Sequence, residues 1–160
     1  MKLEEFIGQL EGKANHVYVD SAGFPSIGIG HCLTAEELNC DKILIKGEYV
    51  DFENGLTDQQ IYDLFHQDLH PICVALDVWV KPSLQEYQRI ALISFVFNVG
   101  LNNFKESTLL EVVNEGRFDQ MPFQLRRWNK SWNRQRTKKI VNKILVNRRE
   151  SEIKMWNGEL

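Results

Sequence analysis

The stretch from Glu11 to His31 constrains this chain more than any other. It places Gly12, Gly23, Gly28 and Gly30 within one short segment. Backbone so rich in glycine does not continue a helix, since each interior glycine costs about 1 kcal/mol relative to alanine. An amphipathic run with Phe6, Ile7 and Leu10 precedes it, and Gly12 falls where a left-handed helix cap is needed. Val17 and Val19 alternate with Tyr18 and Asp20, which predicts a strand. Ser21-Ala22-Gly23 then predicts a turn, and Ile27-Gly28-Ile29-Gly30 the returning strand. Glu11 therefore leaves a helix end and faces a hairpin carrying Asp20 and Ser26.

These three groups suit acid–base chemistry. A carboxyl at a helix C-terminus, following an apolar face, is disfavoured as an anion, so Glu11 is expected to hold its proton. Asp20, on a polar turn, is expected to be ionised, and the Ser26 hydroxyl can aim a water. Two carboxyls in different proton states are what hydrolysis of a glycosidic bond needs. Taken singly, a solvated Glu and an ordinary Asp-Ser-Ala-Gly turn explain the same letters, and spacing leaves both readings open.

The whole 160-residue chain is long enough for one domain or two closely joined lobes. Thr34 is expected to cap a short helical turn, and Lys42–Phe52 to form a hairpin turning at Lys46-Gly47. Thr57-Asp58-Gln59-Gln60 is a capping box. The run after it keeps a helical period from Ile61 to Val80, with a kink or break expected at Pro71. A second capping box, Ser83 to Glu86, opens a helix from Tyr87 to Val99 that is apolar on nearly every side and so belongs at a core centre. Residues 101–106 read as a loop, and Ser107 as the cap of a short helix ending by Gly116. Asp119–Asn129 and the basic stretch up to Lys143 read as helices around Trp128, and Asn147–Trp156 as a closing helix. The boundaries that follow are a sheet-bearing lobe at 12–56, a connecting helix at 57–80, and a helical lobe at 81–160 that also takes helix 3–11.

Charge is uneven. Residues 1–104 carry 6 Lys or Arg against 15 Asp or Glu, whereas residues 105–160 carry 13 against 7. Between Gln120 and Arg149 there are ten cations and no acid. With Trp128 and Trp132 inside it, the run admits three readings: nucleic-acid binding, a solvated face, or attraction to an anionic polymer, the last fitting the rest of the chain best. Cys32, Cys40 and Cys73 make no closed disulfide framework and are expected reduced and buried. His66 and His70 read as helix-surface residues. No metal or other cofactor is needed for the chemistry above. No apolar run is long enough to span a bilayer, and Met1-Lys2-Leu3-Glu4-Glu5 does not open a signal peptide.

The segment resembles the phage lysozymes of glycoside hydrolase family 24. That pattern stands here as Glu11, Tyr18-Val19-Asp20 and Gly23-Phe24-Pro25-Ser26-Ile27-Gly28-Ile29-Gly30-His31. Further matches include Gln67-Asp68-Leu69, Phe95 to Gly100, Ser107 to Leu110, Arg127 to Lys130 and Leu145 to Glu150, so the resemblance covers essentially the whole chain. One departure falls inside the motif, where the family usually has Thr and this chain has Ser26. The resemblance implies an α+β, lysozyme-like fold with a cleft between the lobes, and Glu11 as general acid. Asp20 would hold and activate the attacking water, with inversion. It implies substrate contacts at His31, Phe97, Asn98, Ser107 and Trp128, although Phe97 and Trp128 on composition alone read as core. It further implies support from Asp68, as partner of His31, and from Arg148, as partner of the catalytic Glu. The implied substrate is the β-1,4 bond between N-acetylmuramic acid and N-acetylglucosamine in a peptidoglycan glycan strand. The expected partners are that strand and the anionic cell envelope, the latter through basic residues 126–149, with no nucleic acid; the chain is expected to be a monomer. Synthesis in the host cytoplasm, with holin-dependent access to the periplasmic wall, completes the expectation. A lytic transglycosylase on the same bond and a non-catalytic wall- or nucleic-acid-binding module are the alternatives.

Overall fold

A computed structural model describes all 160 residues. The chain divides into two compact units, Glu4–Pro71 and Ile72–Leu160 with Met1–Leu3. The boundary falls inside the long helix, not at its ends.

In the first unit, α1 (Leu3–Glu11) buries Phe6 and Ile7 and stops at Gly12, whose φ of 76° is the expected left-handed cap. Residues 4–11 of α1 group with the sheet-bearing unit, not with the helical lobe, because the helix passes through Gly12 straight into β1 (Ala14–Val19). β1 pairs antiparallel with β2 (Pro25–Gly28), which pairs with β3 (His31–Cys32). The returning strand is thus shorter than expected: Ile29-Gly30 forms a turn, and the chain doubles back into a third strand. After α2 (Ala35–Cys40), β4 (Lys42–Ile45) and β5 (Glu48–Asp51) make the expected two-residue hairpin, with Lys46 and Gly47 both at positive φ. Long helix α3 (Asp58–Trp79) packs on this layer. Gly28, over Ile61 of α3, has φ 67°, a left-handed conformation that glycine adopts freely, while a Cβ there would make only ordinary contact, 3.6 Å from Ile61 Cγ2. Gln67 Nε2 donates to the Leu44 carbonyl at 2.8 Å, tying α3 to β4.

Pro71 does not break α3, which runs as one element through it. The ring is exposed, and its missing N–H removes a single bond from a helix of 22 residues anchored by buried Leu69, Ile72 and Leu76.

The second unit is built on α4 (Glu86–Val99), buried continuously from Ile90 to Val96 as its all-round apolar pattern requires. Its cap is Gln85, not Ser83: Gln85 N donates to Gln88 Oε1 at 3.0 Å, and the helix begins at Glu86, one residue before the expected Tyr87. Residues 101–105 form a short helix, α5, not a loop. Next come α6 (Thr108–Asn114), a 3-10 turn at Phe118–Gln120 and α7 (Met121–Arg126).

The basic stretch is not helical. Strands β6 (Lys130–Trp132) and β7 (Lys139–Val141) pair across a loop. Asn133 organises that loop: its Oδ1 accepts from Thr137 N at 2.8 Å and its Nδ2 donates to Thr137 Oγ1 at 2.8 Å. A side chain that satisfies local backbone competes with the helix, and like charges one turn apart disfavour it further. Asn142 then caps α8 (Lys143–Trp156), which lies against α4.

The cysteines are free as expected, but Cys32 and Cys40 are exposed, not buried. Cys32 ends an edge strand and Cys40 a surface helix, positions that no core residue covers.

Candidate active site

Five of the sequence-derived residues, Glu11, Asp20, Ser26, His31 and Asp68, lie in the first unit. Asp20 follows β1 directly, and its Oδ1 accepts from Ala22 N at 2.9 Å and Phe24 N at 2.8 Å. Gly23, at φ 89°, closes the turn by donating to the Asp20 carbonyl at 3.0 Å. The carboxylate is therefore held by its own turn through one oxygen.

Strand register aligns the neighbours. Tyr18 stands opposite Ser26, and Ser26 opposite Cys32, so the three side chains share one face of the sheet. The Tyr18 phenol is pushed up from its ordinary pKa, first by partial burial and then by the negative charges of Glu11 and Asp20. Cys32, although exposed overall, is pushed up first by partial desolvation of its thiol and then by the charges of Asp20 and Glu37. Glu11 from the helix end and Asp20 from the turn thus act on one phenol. Ser26 is 2% exposed, and its hydroxyl reaches the Phe24 carbonyl at 3.4 Å, a long contact that leaves it weakly committed.

His31 is clamped, with Nδ1 2.8 Å from Asp68 Oδ2 and Nε2 3.2 Å from Glu37 Oε2. Burial alone would lower its pKa, but the hydrogen bonds and charges of Asp68 and Glu37 raise it above the ordinary value. Both ring nitrogens are taken up in holding β3 to α2 and α3. Glu37, absent from the sequence-derived set, also accepts from Thr34 N at 2.9 Å as the third residue of a capping box. The Thr34 cap was visible in the sequence, but the part Glu37 plays was not.

In the second unit, Asn98, Ser107 and Trp128 line one cavity of about 650 Å³, together with Gln124, Arg127 and Lys139. The Ser107 hydroxyl is committed, donating to the Phe104 carbonyl at 2.7 Å and accepting from Leu110 N at 3.1 Å as the α6 cap. Phe97 is half-buried and outside that lining. Arg148 is buried; its Nε donates to Glu152 Oε1 and its Nη2 to the Ser94 carbonyl, both at 3.2 Å. Beside it lie Arg149 and Glu152, neither of them expected from the sequence. The one available signal was Ser94, a polar residue in the middle of an apolar helix.

Solved structures place this architecture among the lysozyme-like α+β folds. An endolysin from Escherichia coli O157:H7 phage FAHEc1 superposes with a TM-score of 0.81 at 24% identity, over 100% of this chain and 96% of its own. The muramidase domain of SpmX from Asticaccaulis excentricus gives 0.75 at 28%, over 96% and 93%. At the sequence level, the family model described as Phage lysozyme matches residues 8–152. The SAR-endolysin of Escherichia phage Mu is 30% identical, over 92% of this chain and 74% of its own length. The endolysin of Bacillus phage PZA is 36% identical over 70% of this chain, which spans 41% of that relative. This chain belongs to the phage lysozyme family and is a glycoside hydrolase. None of its helices is long and apolar enough to cross a membrane.

Proposed function

We propose that the chain is an endolysin that hydrolyses the β-1,4 bond between N-acetylmuramic acid and N-acetylglucosamine in peptidoglycan, with Glu11 and Asp20 as its catalytic pair. The observation that supports this is that Glu11 ends α1 and Asp20 directly follows β1 within one unit, with the Asp20 carboxylate held through Oδ1 by two backbone amides. Glu11 in its acid form protonates the leaving glycosidic oxygen. Asp20, oriented through Oδ1 by two backbone amides, keeps its other oxygen for a water, which Ser26 helps aim. That water attacks the anomeric carbon as the sugar takes on oxocarbenium character, and the configuration inverts. Asp68, aided by Glu37, fixes the β3 end of the hairpin through His31. Asn98, Ser107, Trp128 and neighbouring Phe97 serve glycan binding in the helical unit, and Arg148 supports the site.

Lys130, Arg134, Lys138, Lys139 and Lys143 are exposed on and beside the β6–β7 hairpin, with Trp132 56% exposed among them. This cationic surface draws the enzyme to the anionic envelope, an attraction that salt should weaken. Synthesis in the host cytoplasm, action as a monomer on the periplasmic wall once a holin opens the inner membrane, and host lysis as the outcome complete the reading.

The test compares the native chain and Glu11→Gln on cells with permeabilised outer membranes, and analyses the products. Loss of lysis in Glu11→Gln and reducing-end muramic acid from the native enzyme are expected. Equal lysis by both proteins would remove Glu11 from the mechanism, and 1,6-anhydro ends would replace hydrolysis with transglycosylation.

A further inference from the structure

Asn98 is exposed on the last turn of α4 and lines the 650 Å³ cavity. Its Oδ1 accepts from Arg149 Nη2 at 2.9 Å. A guanidinium offers only donors, so the Asn98 amide cannot turn over without setting its own NH2 against them. The side-chain oxygen is therefore fixed toward Arg149, and Nδ2 is the end left for the cavity.

Arg149 is itself immobilised. It is 1% exposed, with Nη2 3.0 Å from Glu152 Oε1 and Nε 2.8 Å from Glu152 Oε2. Its Nη1 donates to the Trp128 carbonyl at 3.4 Å, and its guanidinium lies over the Phe95 ring, 5.1 Å from the centroid. Phe95 in turn packs edge-on against Trp128, with centroids 5.5 Å apart. Glu152 is 0% exposed and is further held by the Ser94 hydroxyl at 2.8 Å and by Arg148 Nε at 3.2 Å. The orientation of one exposed amide is thus imposed by a buried network from two helices and the segment after α7.

We propose that Arg149 is a positioning residue that locks Asn98 as a hydrogen-bond donor into the cavity, so that the cavity selects an acceptor oxygen there. This rests on reading the chain as a muramidase. In a glycan of N-acetylated sugars the matching group is the acetamido carbonyl. A de-N-acetylated sugar brings an ammonium, a donor facing a donor, into a cavity already lined by Arg127, Lys130 and Lys139. The enzyme should accordingly discriminate against de-N-acetylated glycan at this position.

Asn98→Asp provides the test, because it keeps the side chain's shape and its bond to Arg149 but turns the cavity-facing donor into an acceptor. On acetylated peptidoglycan its KM should rise about tenfold with little change in kcat, the size of one lost hydrogen bond. Its preference for acetylated over chemically de-N-acetylated peptidoglycan should fall by a similar factor, while the thermal midpoint stays near that of the native protein. Arg149→Gln, whose amide can donate or accept, should show the same KM effect more weakly. If burial makes that variant unfold, Asn98→Asp still decides the matter. Independently of cleavage, the side-chain NH2 resonances of Asn98 in the native chain should move on adding tetra-N-acetylchitotetraose and stay put with the glucosamine tetramer. Unmoved resonances, or an Asn98→Asp protein with native KM and native acetyl preference, overturn the proposal. Moved resonances alongside a fully lytic Glu11→Gln would instead remove only the catalytic assignment.

Discussion

The two units hold their polar groups in opposite ways. In the first, Asp20 is oriented by amides two and four residues away, and His31 by acids six and 37 residues away, all partly open to solvent. In the second, Ser94, Asn98, Trp128, Arg149 and Glu152 converge from distant parts of the chain on a cluster whose charged members are almost wholly buried. A local turn can set a reactive carboxylate while leaving it wet. A buried cluster cannot exchange partners with water, so it suits fixing geometry more than moving protons. Burial pushes the Glu152 carboxyl up against the pull of Arg149 and Arg148, so the cluster holds one shared acid between two buried guanidiniums.

The sharpest way to break this contrast is Glu152→Ala. It leaves two buried guanidiniums without their shared acid and should destabilise the protein by about 3–5 kcal/mol in urea unfolding. A loss below about 1 kcal/mol would mean that water already reaches the cluster, and the two regions would not differ as described.

The His31 clamp should give a smaller effect with a pH signature. Its folded pKa lies above the unfolded value near 6.5, so its contribution is fully present below that value and is lost as pH rises through the folded pKa. The stability gap between the native chain and His31→Asn should therefore be widest in mild acid and close toward alkaline pH. A gap that instead grew with pH would reverse the assigned sign.

Ser26→Thr should have the smallest effect. The hydroxyl is kept, and the β-branched side chain suits a strand, so stability should stay within about 1 kcal/mol and lytic activity should not fall sharply. A sharp loss of lysis in a folded Ser26→Thr protein would show that the site has been rebuilt around serine.

The same contrast marks what the sequence could reveal. Signals written in a few adjacent residues were legible: the Gly12 stop, the Lys46-Gly47 hairpin, the Thr34 cap and the box at Thr57–Gln60. The Asp68–His31 pair was legible only through family resemblance, and Glu37 was missed because one oxygen serves two partners. Arg149 and Glu152 were missed because nothing near them in sequence names Asn98 or Ser94. The β6–β7 hairpin was missed because its deciding residue, Asn133, acts through bonds to a loop that charge pattern does not describe.

The central claim is that Glu11 and Asp20 perform a water-mediated single displacement, and the anomeric configuration of the first product tests it most directly. Proton NMR during the opening minutes of digestion of a β-1,4-linked glycan strand should show the α-anomer at the new reducing end, mutarotating afterwards. If the β-anomer appears first, Asp20 does not act by holding a water on the opposite face, and the account given for this site is wrong.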